Sequence, residues 1–124
     1  IHTTDPDETG IDLYIGIGGA PEGVLAAAAL RCIGGQMEGR LQLNTPEKIA
    51  RAEKMGIVDP AKIYRMEEMA QGDVLFSATG VTDGNLLAGV KFARDAISTH
   101  TIVMRSSSGT VREIKARHQD LTKF

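Results

Sequence analysis

The chain carries one cysteine, Cys32, and no tryptophan, and its three Phe and two Tyr make up only 4% of 124 residues. A lone cysteine excludes a disulfide scaffold and a Cys-based zinc cluster. Scarce aromatics leave core building to Val, Ile, Leu, Ala and Met. Positive charge is not in excess either. The formal net charge is −2, which removes any general electrostatic case for a nucleic-acid partner. No apolar run reaches the ~18 residues needed to span a bilayer, so no membrane partner is expected. The first residues show no charged-then-apolar leader pattern. Ile1 stands where an initiator Met would. The expectation is a chain that starts at a cleavage point or inside a larger protein. A reduced thiol makes the cytoplasm the default compartment.

What is present suits one folded domain spanning residues 1–124. The 42% hydrophobic content is too high for a disordered chain. Fourteen glycines exceed the ordinary share of about 7%. Without Pro or Ser richness they point to tight turns and close backbone approaches rather than to a linker.

Residues 1–10 are polar and read as a lead-in loop. Residues 11–17 (IDLYIGI) predict a buried strand. A glycine-rich break at Gly18 and Gly19 follows, and then PEGVLAAAALRCI predicts a helix. Pro21 suits the first helical position, Glu22 complements the positive helix end, and Gly34 stops the helix. This helix is apolar almost all round, so it should be buried on more than one side. Missing chain or a homo-oligomer interface would each provide the cover. Residues 35–43 predict a strand. Thr45, Pro46 and Glu47 then open a second helix that closes at Gly56, with Ile49, Ala52 and Met55 along one face. Residues 60–71 predict an extended piece near Ile63 and a helix through Met69. Residues 73–79 predict another buried strand, and residues 80–85 a second glycine-rich loop; residues 86–96 are ambiguous. Residues 99–106 and 110–118 predict a hairpin across Ser107, Ser108 and Gly109. Alternating strands and helices imply an α/β layered sandwich with a largely parallel sheet and a C-terminal antiparallel hairpin.

The strand, glycine-rich loop and helix around Gly18, Gly19 and Glu22 carry the clearest chemistry. Backbone N–H groups and the helix dipole make an anion site suited to a phosphate. A carboxylate beside a phosphate repels it unless a divalent cation lies between them. Glu22 therefore reads as a metal ligand or, equally, as a first-turn anion that caps the dipole. A dinucleotide site fits less well, because the third glycine of G-x-G-x-x-G falls at Pro21. In the second loop, Asp83 has the chemistry of a metal ligand and Thr82 of a phosphate contact, but Asp-Gly-Asn is favoured as plain turn chemistry. His2, His100 and His118 share no ligand spacing and read as surface or strand residues. Cys32 reads as an inert core thiol, and Met55, Met66 and Met69 as core filler. Arg105 and Arg112 beside the hairpin turn read as exposed strand residues.

The run DLYIGIGGAPEGVLAAAALRCIGGQMEGRL from Asp12 resembles the class II fructose-1,6-bisphosphatases, the bacterial GlpX-type family. The resemblance continues through GDVLFSATGVTDGNLLAGV and THTIVMRSSSGTVREI and covers nearly the whole chain. It implies hydrolysis of the 1-phosphate of fructose 1,6-bisphosphate in gluconeogenesis, with Mn²⁺ or Mg²⁺, and in some members of sedoheptulose 1,7-bisphosphate. It implies a fold similar to inositol monophosphatase, an α-β-α-β-α sandwich. Glu22 in GGAPEG matches a carboxylate ligand of the catalytic metal site. Gly19 matches a backbone contact to substrate, with Gly18 beside it. The family's other metal-binding acids and its sugar-binding residues lie before GGAPEG and have no counterpart here. The chain therefore reads as the C-terminal part of such an enzyme, partnered by the N-terminal part and inactive alone. The rival reading is a stand-alone phosphometabolite-binding module.

Overall fold

The computed structural model describes residues 1–119. A short 3-10 turn, His2–Thr4, leads into the one-turn helix α1, Pro6–Thr9, capped by the Asp5 side chain. Helix α2 spans Ala20–Ile33. Strand β1 is Glu38–Arg40, helix α3 is Pro46–Lys54, strand β2 is Ile63–Arg65 and helix α4 is Met66–Met69. Strands β3 (Leu75–Thr79), β4 (Lys91–Phe92), β5 (Ile97–Arg105) and β6 (Thr110–His118) complete the order.

The helix boundaries follow the local chemistry. Gly34 ends α2 in the left-handed conformation at φ 79°, where its N–H reaches Leu30 O; a Cβ there would be strained. Thr45 caps α3 by accepting from Lys48 N–H at 3.3 Å, with Pro46 in the first turn. Pro21 sits one position later than expected, because Ala20 opens α2.

All strand pairs are antiparallel, which corrects the expected parallel sheet. A parallel pair needs a strand before the crossover helix. Residues 11–17 do not supply one. They form no strand, and Tyr14, Ile15 and Ile17 stand 81%, 84% and 83% exposed. The strand expected over residues 35–43 shrinks to Glu38–Arg40, because only that stretch finds a partner, in β2. The alternation persists nonetheless, with Met37, Gly39, Leu41 and Leu43 the less exposed positions.

The main sheet is organised around β5. Strand β6 pairs with it from Ile97↔His118 to Arg105↔Thr110 and so takes one whole edge. The other edge is shared by β3, opposite residues 101–105, and β4, opposite Ser98 and Ile97. Between β3 and β4, residues 80–90 leave the sheet and return. The expected C-terminal hairpin is present and turns through Ser106–Ser108 and Gly109, whose φ is 57°.

Helix α2 is buried on two sides, as its apolar circumference demands. Ala29 and Cys32 meet Ile102, Met104 and Leu87, with Phe76 and Ala78 at the margin. Ala27 and Leu30 meet Met66 and Ala70 beside α4. Burial pushes the Cys32 thiol up, in keeping with an inert core cysteine. Met55 departs from the expected core role: it is 69% exposed, and Ala52 is the buried residue of α3. Strand β3 is likewise only half-buried, with Leu75 exposed. No helix among the described residues is long and apolar enough to cross a membrane.

Met104 is 1% exposed at the centre of this packing. Met104→Ala is expected to cost about 2–5 kcal/mol in urea unfolding, while Met104→Leu costs less than about 1.5 kcal/mol. Gly80→Ala tests the loop: an added Cβ would lie 2.1 Å from the Ala88 carbonyl oxygen. A backbone atom yields little, so a loss of about 1–3 kcal/mol is expected by the same measurement.

Candidate functional site

The first glycine-rich loop ends at Gly19, the N-cap of α2, with φ −71° and ψ 152°. No side chain caps this end. Glu22 is the third helical residue, and its carboxylate folds back over the loop. A Cβ placed on Gly19 would meet Glu22 Oε2 at 2.1 Å. Helix start, glycine backbone and carboxylate therefore coincide, as the spacing predicts. The first N–H groups of any helix lack intrahelical partners and carry partial positive charge. Gly18, Gly19 and Glu22 are all exposed.

The two glycines differ in what makes them necessary. At Gly19, a side chain would displace the Glu22 carboxylate. Gly18 has no positive φ, and nothing lies within 4 Å of an added Cβ. Neither conformation nor packing within the described residues calls for glycine there. A close approach from outside them would.

Glu22 presents a hard oxygen donor of the kind Mg²⁺ and Mn²⁺ prefer. Among the described residues no ion pair engages it. No three His, Cys, Asp or Glu side chains gather to hold a metal there either. The donor chemistry fits a divalent cation, but the donor count is one carboxylate.

The second loop is built differently. Asp83 Oδ1 accepts from Gly89 N–H at 2.9 Å, and Oδ2 pairs with Lys91 Nζ. The Lys91 ammonium and then the Gly89 N–H hold the Asp83 carboxyl below the usual carboxylate range. Thr82 lies with its backbone against Gly89, whose added Cβ would come 2.6 Å from the Thr82 carbonyl carbon. Asp83 is thus spent on closing the loop, which supports the turn-chemistry reading.

The residue that sequence reasoning placed too lightly is His100. Its ring Nδ1 accepts from Ala88 N–H at 3.0 Å, and its Nε2 faces Glu113 Oε1 across the sheet. The signal was there: alternation in THTIVMR puts His100 on the same face as Ile102 and Met104, two core residues. His118 lies against Thr99 Oγ1 at 3.1 Å. Arg105 and Arg112 are exposed, as expected.

The model of the bacterial glpX-encoded fructose-1,6-bisphosphatases matches residues 1–118. Similar proteins bear the name D-fructose 1,6-bisphosphatase class 2/sedoheptulose 1,7-bisphosphatase. That of Synechococcus sp. strain JA-3-3Ab is 44% identical over 124 aligned residues, covering 89% of this chain and 35% of the relative. That of Synechococcus sp. strain JA-2-3B'a(2-13) is 46% identical over 123, with the same coverage. That of Crocosphaera subtropica is 41% identical over 131, covering 94% of this chain and 38% of the relative. The chain thus spans little more than a third of the length of these relatives. With a match over nearly its whole length, it belongs to the bacterial glpX-encoded fructose-1,6-bisphosphatase family.

Proposed function

We propose that this chain is the C-terminal part of a metal-dependent sugar-bisphosphate phosphatase and supplies one metal ligand and one wall of its substrate site. The reaction is hydrolysis of the 1-phosphate of fructose 1,6-bisphosphate, a step of gluconeogenesis. The relatives' names extend the substrate class to sedoheptulose 1,7-bisphosphate. The observation that carries this reading is the Glu22 carboxylate lying over Gly19 at the exposed start of α2.

Each of the three residues has a distinct task in this reading. Glu22 contributes a carboxylate oxygen to Mn²⁺ or Mg²⁺, and the cation supplies the charge that polarises a phosphoryl group and acidifies a water. Gly19 brings its backbone to the substrate and leaves room for the Glu22 side chain. Gly18 keeps the approach clear. The positive end of α2 favours the phosphate for the same electrostatic reason that it tolerates Glu22. The remaining metal-binding acids and the sugar contacts come from the part of the enzyme that this chain does not include. One carboxylate is too few to hold the cation, so the 124 residues alone are inactive.

In the full-length enzyme, Glu22→Gln keeps the shape and removes the charge. Turnover is expected to fall by about 100-fold or more at saturating Mn²⁺, with thermal unfolding unchanged. Near-normal turnover would remove Glu22 from the metal site. Gly19→Ala is compatible with the backbone at φ −71° but displaces the carboxylate; folding should persist while activity drops. The isolated chain should release no phosphate from fructose 1,6-bisphosphate. Calorimetry completes the set: metal-independent binding of a sugar phosphate by the isolated chain would favour a binding module instead.

A further inference from the structure

Residues 80–90 form a closed body that, among the described residues, hydrogen-bonds to β5 through His100. Inside the loop, Val90 N–H donates to Val81 O at 3.1 Å and Gly84 N–H to Leu87 O at 3.0 Å. The Asp83 carboxylate ties in Gly89 N–H and Lys91. Two bonds lead outward to β5, and both end on His100. Gly80 N–H reaches its carbonyl oxygen at 3.0 Å, and Ala88 N–H reaches ring Nδ1 at 3.0 Å. Leu87 adds an apolar contact with Ile102 and Met104.

An imidazole nitrogen accepts a hydrogen bond only while it carries no proton. The Ala88 bond therefore holds His100 as the neutral ring with its proton on Nε2, the atom that faces Glu113 Oε1. Glu113 and Lys115 face the ring from β6, and Glu113 is itself shared with Lys115 at 3.3 Å. Lys91, paired with Asp83, and Arg117, paired with Asp95, line the same cleft of about 320 Å³. Glu113 supports a charged ring from the Nε2 side. At Nδ1, a second proton would set one N–H against another.

We propose that His100 is a proton-operated latch, with the loop of residues 80–90 docked on the neutral imidazole and released as a unit when Nδ1 takes a proton. The internal ties outlast the release, because Lys91 holds the Asp83 carboxyl below the usual range, well under the pH at which histidines charge. A proton on Nδ1 removes the acceptor of the Ala88 N–H, so docking is lost as pH falls through the range in which histidines charge.

The test is hydrogen exchange of the peptide covering residues 80–92 in the full-length protein, wild type beside His100→Asn, from about pH 8 to about pH 5. Asn offers an oxygen to Ala88 N–H and has no proton to gain in this range. Comparison at each pH cancels the intrinsic pH dependence of exchange. Equal protection is expected at the alkaline end. At the acid end, the wild type should exchange about tenfold faster than the variant. Equal protection throughout, or a parallel loss in both proteins, overturns the latch. Should His100→Asn fail to fold, proton–nitrogen correlation of the wild-type ring decides. The Nε2–H tautomer is expected at the alkaline end, and the Nδ1–H tautomer overturns the proposal.

Discussion

The close seating of α2 on β5 is the contact on which the other features depend. It is made by small side chains. Ala29 and Cys32 face Ile102 and Met104 on one side, and Ala27 faces Met66 and Ala70 on the other. Alanine loses no side-chain entropy on burial and lets a helix approach its neighbours closely. A larger residue at either alanine would lift the helix and cost about 1–3 kcal/mol in strain. Because α2 is clamped on two faces, its start at Gly19 and the carboxylate of Glu22 are held by a rigid element. A site carried on a packed helix is placed more accurately than one on a free loop. Leu87 of the second loop packs into the same cluster.

Two glycine-rich loops of similar composition have come to opposite physical ends. In the loop of residues 80–90, Gly80 and Gly89 are obligatory for packing, since a Cβ at either would strike backbone atoms. Its one acidic side chain is consumed by internal partners. In the loop before α2, Gly18 has open space around it and Glu22 has no ion-pair partner among the described residues. Composition cannot tell these cases apart. What a Cβ would meet does: backbone atoms at Gly80 and Gly89, and nothing within 4 Å at Gly18.

Local chemistry was legible in the sequence. Helix α2, its stop at Gly34, the Thr45 cap and the hairpin through Gly109 each rest on residues within a few positions of one another. The inert Cys32 was legible for a similar reason, because it lies in an apolar helix. Strand partnership was not legible. Residues 11–17 have the composition of a buried strand, but hydrogen-bond partners are a property of distant chain, and none of the described residues provides them. The parallel-sheet expectation failed with that one segment, since it was the strand that made the βαβ unit. By ligand spacing His100 reads as a surface or strand residue, and only its alternation with Ile102 and Met104 places it on the core-facing side of β5. Within the site, Glu22 was legible beside Gly18 and Gly19 because it falls in the first turn of the helix that follows them.

The exposed segment and the incomplete site have one explanation under the proposed function. Leu13, Tyr14, Ile15 and Ile17 stand mostly in solvent, and Val24 and Leu25 continue the apolar surface onto the first turns of α2. Fully burying one such side chain contributes about 1.5–3 kcal/mol. Contiguous exposure on this scale is uncommon on a self-sufficient domain. The surface leads directly into Gly18, Gly19 and Glu22. If the rest of the enzyme supplies the missing ligands, it must approach that loop. The apolar run of residues 11–17 immediately precedes the loop in the chain. Covering the run would release several kcal/mol at the moment the ligands converge on Glu22. Assembly of the metal site and completion of the core would then be a single event.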